Sequence, residues 1–146
     1  MPRRMIRNTL ADRPLITASQ EMTVRAASRL MAEKRIGALL IVEGKSIIGI
    51  FTERDILTKV LAPALDPDTT PLSRVMVANP LTIRADKPLS HALQMMAEGG
   101  FRHVPVVDDD GIPVGMVSAR DALGQDMVDL ENNLKRMEML ENSIGY

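Results

Sequence analysis

The chain has no cysteine and no tryptophan, and its only aromatic residues are Phe51, Phe101 and Tyr146. Without cysteine there is no disulfide, no thiol nucleophile and no cysteine-bound zinc. With aromatics at 2% of 146 residues, there is little surface on which nucleic-acid bases stack. No stretch approaches the ~20 uninterrupted apolar residues that cross a bilayer. Arg3, Arg4 and Arg7 make the N-terminus basic, but no apolar run follows them, so it does not read as a secretory signal. A net charge of −1 gives no general attraction to nucleic acid or to an anionic membrane. These absences predict a cytoplasmic protein with no membrane partner and no nucleic-acid partner.

Hydrophobic residues make up 45% of the chain, enough for a packed core, and 11 of them are Met. With so few aromatics that core must be aliphatic. The stripes containing Met31, Met95 and Met96 read as core filler rather than a ligand surface.

The chain repeats itself. Thr23 to Glu33 lies over Pro88 to Glu98 at an offset of 65, matching Ala27/Ala92, Met31/Met96, Ala32/Ala97 and Glu33/Glu98. One inserted residue later, Gly49-Ile50-Phe51-Thr52-Glu53-Arg54-Asp55 lies over Gly115-Met116-Val117-Ser118-Ala119-Arg120-Asp121 at an offset of 66, and Pro14-Leu15 lies over Pro80-Leu81 at the same offset.

Each copy predicts the order β-α-β-β-α. A short β-prone stretch (Leu15 to Thr17; Leu81 to Ile83) precedes a helix. The helix has apolar residues at helical spacing: Val24, Ala27, Leu30 and Met31, or Leu89, Ala92, Leu93 and Met96. Apolar runs follow (Ala38 to Val42; Val104 to Val107), as expected of strands buried on both faces. Polar turns at Glu43-Gly44-Lys45 and Asp108-Asp109-Asp110-Gly111 lead to second strands, Ile47 to Phe51 and Pro113 to Val117. The Asp108 turn lacks the alternating acids and distal Glu of a calcium loop.

One such unit cannot bury its own sheet, so two are expected to pack sheet to sheet about a pseudo-twofold axis. The expected units are residues 1–66, residues 67–124 with the Pro-rich linker, and a C-terminal helix over 125–146. In that helix Met127, Leu130, Leu134, Met137 and Ile144 recur at spacings of 3 and 4, interrupted by Glu141, a stripe suited to packing on the module or to pairing in a dimer.

Thr52-x-x-Asp55 and Ser118-x-x-Asp121 admit two readings. A Ser/Thr three residues ahead of an acid, after a strand, is a capping box, worth about 1 kcal/mol. The same geometry also suits a nucleotide. A helix start presents free N–H groups to phosphate, a nearby carboxylate accepts from ribose hydroxyls, and Arg54 or Arg120 neutralises phosphate charge. The two roles are compatible.

The doubled Gly-to-Asp segment, together with Arg102-His103-Val104-Pro105-Val106-Val107-Asp108, resembles the CBS domain, the ~60-residue module that pairs into a Bateman module. The resemblance covers roughly residues 10 to 124, with no attached enzyme or channel. It implies a regulatory α/β module binding an adenosyl ligand (AMP, ADP, ATP, NAD or S-adenosylmethionine) in clefts between the repeats, commonly as a homodimer. By motif position it assigns ribose to Asp55 and Asp121, and phosphate contact to Thr52 and Ser118. It also implies an adenine pocket from Ile36, Gly37, Ala38, Arg102, His103 and Val104, with Thr17, Ala18, Ile83 and Arg84.

The copies are unequal. Gly37-Ala38-Leu39-Leu40 stands where the other has Arg102-His103-Val104-Pro105, and the basic pair is expected to favour an anionic ligand on its own side. For His103 an ordinary strand-edge role stays open, while a metal role does not fit, since His91 is the only other histidine and sits in another element. The alternative to a nucleotide module is a structural or interaction subunit with empty clefts. An enzyme fits least, because no nucleophile–base pair, Gly-rich phosphate loop or metal cluster is visible.

Overall fold

A computed structural model describes residues 4–123 and 125–144. Arg3 and Tyr146, and the side chains of Met127 and Ile144 in the expected C-terminal stripe, lie outside the described residues.

In chain order the elements are α1 (Ile6–Leu10), β1 (Thr17–Ala18), α2 (Val24–Lys34), β2 (Ala38–Glu43), β3 (Ser46–Thr52) and α3 (Glu53–Asp55), which runs on as a π-helical stretch over Ile56–Leu61. There follow α4 (Leu72–Val75), β4 (Val77–Ala78), β5 (Ile83–Arg84), α5 (Leu89–Gly99), β6 (His103–Val107), β7 (Pro113–Ser118), a 3-10 turn at Ala119–Ala122, and α6 (Gln125–Ile144). One sheet has the order β1-β2-β3-β4 and the other β5-β6-β7. In both, the first strand is parallel to the second and the second antiparallel to the third. This is the expected mixed α/β architecture of two repeats and a C-terminal helix.

The local signals explain the elements. Thr23 caps α2 by accepting from the Ala26 N–H at 3.2 Å, and Arg35 ends that helix at φ 55°. Gly100 ends α5 in the same left-handed conformation, which glycine adopts without strain. Both helices bury residues at i, i+3 and i+7: Val24, Ala27 and Met31, or Leu89, Ala92 and Met96. Leu39, Ile41 and Phe51 face α2 in one core, and Val104, Val106 and Val117 lie in the other. Ala38, Leu40, Ile50 and Pro105 are buried as well, outside both helix-side cores, as strands covered on two faces require.

Three features depart from the expected outline. The opening strands begin two residues later than predicted, at Thr17 and Ile83. The second copy closes in a 3-10 turn rather than a helix continuous with its motif. Most consequentially, packing crosses the boundary drawn at residue 66.

Ile6 and Leu10 of α1 sit in the core of the second repeat, whereas Leu72 and Val75 of α4 sit in the core of the first. The two segments stand at an offset of 66 and trade places. The exchange also finishes the helix starts. The Leu89 N–H donates to the Arg4 carbonyl at 2.8 Å, and the Val24 N–H to the Thr70 carbonyl at 2.9 Å. First-turn amides with no intrahelical acceptor are thereby satisfied from the other end of the exchange. The linker is accordingly tied down: Thr70 is buried and its hydroxyl donates to the Asp66 carbonyl.

Candidate functional site

The ends of β3 and β7 place the two acids of the repeated motif in two separate clefts. A cleft of about 490 Å³ is lined by Thr52, Glu53, Arg54 and Asp55 on one side and by Gly100, Phe101, Arg102 and His103 on the other, with Asn79, Pro80 and Leu81 alongside. A cleft of about 600 Å³ is lined by Ser118, Arg120 and Asp121, by Arg35 to Ala38, and by Arg4 and Arg13 to Ile16. Each therefore joins the motif of one repeat to the start of the middle strand of the other. Both volumes fall in the range that holds a small-molecule ligand.

Asp55 is buried and fully engaged. Its Oδ2 accepts from the Thr52 N–H at 3.0 Å and from the Thr52 hydroxyl at 3.1 Å, and its own N–H donates back to Thr52 Oγ1 at 3.3 Å. The capping-box reading of this motif is thus observed. Lys59 Nζ, one helical turn on, lies 3.2 Å from Asp55 Oδ1 and also donates to the Val75 carbonyl at 3.1 Å.

Asp121 has a different environment. The Ser118 N–H donates to its Oδ2 at 2.8 Å, repeating the cap. Its counter-ion, however, comes from 108 residues away: Arg13 donates from Nη1 to Oδ2 at 3.1 Å and from Nη2 to Oδ1 at 2.6 Å. Arg4 Nη1 adds a bond to the Asp121 carbonyl oxygen at 2.9 Å. Burial by itself raises the Asp121 carboxyl pKa, but hydrogen bonds from Arg13 and the Ser118 amide, and then the charges of Arg13 and Arg4, hold it below the usual carboxylate range.

Gly37 and His103 line both clefts. A methyl group on Gly37 would stand 3.3 Å from Glu53 Oε1 and 3.4 Å from His103 Nε2, so the bare glycine lets both side chains approach. Burial pushes the His103 pKa down. The charge of Glu53 opposes this, Arg102 adds to it, and Asp121 opposes it more weakly. The net effect is an imidazole held neutral at neutral pH.

The clefts bring together Thr52, Arg54, Asp55 and Arg102 in one, and Ser118, Arg120, Asp121, Ile36 and Ala38 in the other, with Gly37 and His103 common to both. Five expected residues lie elsewhere. Ala18 is buried in the first core, Ile83 and Val104 are buried in the second, and Thr17 is paired with Leu40 within its sheet. Arg84 pairs with Asp86 and Asp109, each at 2.7 Å. The residues of the opening segments that do line the clefts come just earlier, at Pro14 to Ile16 and Asn79 to Leu81.

Arg102 lines the Asp55 cleft, while His103 lines both. The cation-rich cleft is the other one, where Arg4, Arg13, Arg35 and Arg120 surround a single acid. Arg4, Arg13 and Arg35 were not among the candidates. The one sequence signal near Arg13 is the repeated Pro-Leu doublet that follows it.

A model of the CBS domain matches residues 6–62 and again residues 72–126. The chain belongs to the CBS domain family, as a tandem pair. It is 42% identical over 95 residues to the CBS domain-containing protein CBSCBSPB5 of Arabidopsis thaliana, an alignment covering 64% of this chain and 17% of the plant protein. The chain thus spans under a fifth of that relative's length.

Two solved structures share the fold closely. The CBS domain protein PAE2072 from Pyrobaculum aerophilum, complexed with AMP, is 28% identical with a TM-score of 0.77, over 87% of this chain and 96% of that one. The CBS domain pair of protein MJ0100, in complex with 5′-methylthioadenosine and S-adenosyl-L-methionine, is 29% identical with a TM-score of 0.72, over 81% of this chain and 95% of that one. No helix among the described residues is long and apolar enough to cross a membrane, and none of their acidic and histidine side chains cluster as metal ligands.

Proposed function

We propose that this chain is a regulatory module whose clefts bind an adenosyl ligand, drawn from AMP, ADP, ATP, NAD and S-adenosylmethionine, and that binding alters its shape and its affinity for a regulated protein. The observation that carries the reading is the doubled motif, which puts one carboxylate, Asp55 or Asp121, in each of two ligand-sized clefts. A carboxylate there accepts from a ribose diol, Thr52 and Ser118 stand beside it, and Arg54 and Arg120 supply positive charge for phosphate. The complexes formed by PAE2072 and MJ0100 support the adenosyl class without choosing among its members.

Each cleft is walled by both repeats, so a ligand that grips both walls favours one angle between them. A partner that prefers that angle then feels the ligand, and a coupling of ~1–3 kcal/mol suffices for a switch. The reading assigns the module no catalytic role of its own. It places the module in the cytoplasm as a homodimer, an assembly compatible with the exposure of Leu130, Leu134, Met137 and Leu140 on α6.

The test is thermal unfolding against the ligand panel. A ligand at 100 times its dissociation constant adds about 2.7 kcal/mol to stability, which reads as a raised midpoint. The expected result is a selective rise that Asp55→Ala and Asp121→Ala each reduce and the double variant loses.

The second reading, an interaction subunit with empty clefts, is favoured by one observation: both carboxylates already have cationic partners, Lys59 and Arg13. It expects no midpoint shift with any adenosyl compound, and a protein partner captured equally well with and without nucleotide.

A further inference from the structure

The two acids of the repeated motif hold their counter-ions in different ways. Lys59 reaches Asp55 along one turn of the same helix, is anchored to the Val75 carbonyl, and is not among the residues lining the cleft. A ligand in that cleft therefore does not meet the Lys59 cation itself. Asp121 has no such partner, because Gln125 stands at the position that corresponds to Lys59. Its counter-ion is Arg13, which lines the cleft itself and bonds to both carboxylate oxygens. A ribose diol needs those same oxygens as acceptors.

A ligand that binds there competes with a two-point, charge-assisted contact made inside the cleft and, where it displaces that contact, leaves a guanidinium without its anion, next to Arg4, Arg35 and Arg120. A neutral ligand offers nothing in exchange, whereas a phosphate does. The Asp55 cleft sets no such condition. Its lining balances Arg54 and Arg102 with Glu53 and Asp55, and the residue equivalent to Arg13 is the uncharged Asn79.

Building on the adenosyl reading above, we propose that the two clefts differ in ligand class: the Asp121 cleft admits an adenosyl compound only when it carries phosphate, with Arg13 the residue that enforces the requirement, and the Asp55 cleft accepts adenosyl compounds without phosphate. Arg13 acts by exchange. Its guanidinium passes from the Asp121 carboxylate to the ligand's phosphate as the ribose takes its place.

Calorimetric titration with adenosine and with AMP tests this, using Asp55→Ala so that only the Asp121 cleft keeps its acid. The expected result is a preference for AMP of about tenfold or more, the size of one charge-assisted contact. Adding Arg13→Gln is expected to cut that preference about tenfold, by strengthening adenosine binding while weakening AMP binding. The converse variant leaves Arg13 untouched: Asn79→Arg, in an Asp121→Ala background, is expected to raise the AMP-to-adenosine preference of the Asp55 cleft. An AMP-to-adenosine ratio unmoved by either substitution, with AMP still bound, overturns the proposal alone. Absence of binding by any adenosyl compound to the unmodified chain overturns the adenosyl reading on which it rests.

Discussion

Leu10 occupies the space beside Gly115: a methyl group on that glycine would stand 2.9 Å from Leu10 Cδ1 and 3.0 Å from Cδ2. Met76 stands in the same relation to Gly49, at an offset of 66 for both members of the pair. The glycine that opens each repeated motif is therefore the seat of the exchanged segment, which comes from before or after the linker. Its lack of a side chain is a packing requirement, since neither glycine adopts a positive φ.

Gly115→Ala is expected to destabilise the fold by about 1–3 kcal/mol, as overpacking of a filled core does. Gly49→Ala is expected to destabilise it as well, because the added methyl group would meet Met76 Sδ and stand 3.2 Å from the Val77 carbonyl oxygen, a backbone atom that cannot re-pack. Chemical denaturation of the two variants checks the size of both losses. Equal, negligible losses would contradict the seating.

Ile6 is fully buried in the second core despite standing near the start of the chain. Residues this close to an end usually tolerate truncation to alanine. Ile6→Ala is expected instead to cost about 2–5 kcal/mol, the usual loss for a fully buried aliphatic side chain. Hydrogen exchange is expected to show that loss on β6 and β7 rather than on β2 and β3.

Asp55→Ala removes the acceptor for the Thr52 N–H and the anion beside Lys59, and is expected to cost about 1–2 kcal/mol. Set against the ~5–15 kcal/mol of a typical domain, the variant stays folded and remains fit for binding experiments. Cooperative unfolding at a modestly lower midpoint is the outcome to look for.

His103 makes stability depend on pH in a defined window. Its folded pKa lies below the unfolded value of about 6.5, so the folded state disfavours the proton. Above that value the residue is neutral in both states and contributes nothing. As pH falls below it the unfolded chain takes the proton first, and stability declines until the folded pKa is passed. Asp121, whose folded pKa is also lowered, contributes stability above its own unfolded value near 3.8, and loses it as pH falls further through the folded pKa. His103→Gln is expected to flatten the upper limb of the stability–pH curve and leave the lower limb in place. An unchanged upper limb would contradict the role given to burial.

The repeat, the helices and the long strands were legible because each rests on local signals: helical spacing of apolar residues, apolar runs of strand length, and Gly- or Asp-rich turns. The positions of Asp55 and Asp121 followed from the same signals. The exchange of α1 and α4 was not legible, since Ile6 and Leu72 look alike and nothing in a linear pattern says which core each will enter. Thr17, Ala18, Ile83 and Arg84 are what the resemblance implies; these residues form the short strands β1 and β5, and the cleft lining comes from the segments just before them, Pro14 to Ile16 and Asn79 to Leu81. The role of Arg13 is not legible in the sequence, because its partner Asp121 lies 108 residues away and no periodicity links them.

Under the proposed function, Asp55 and Asp121 are what the two clefts offer an adenosyl ligand. Calorimetric titration of AMP into the unmodified chain and into the Asp55→Ala, Asp121→Ala double variant tests it most directly. Saturable binding to the first and none to the second is expected, with cooperative unfolding retained in both. AMP binding of equal affinity to the double variant would contradict it.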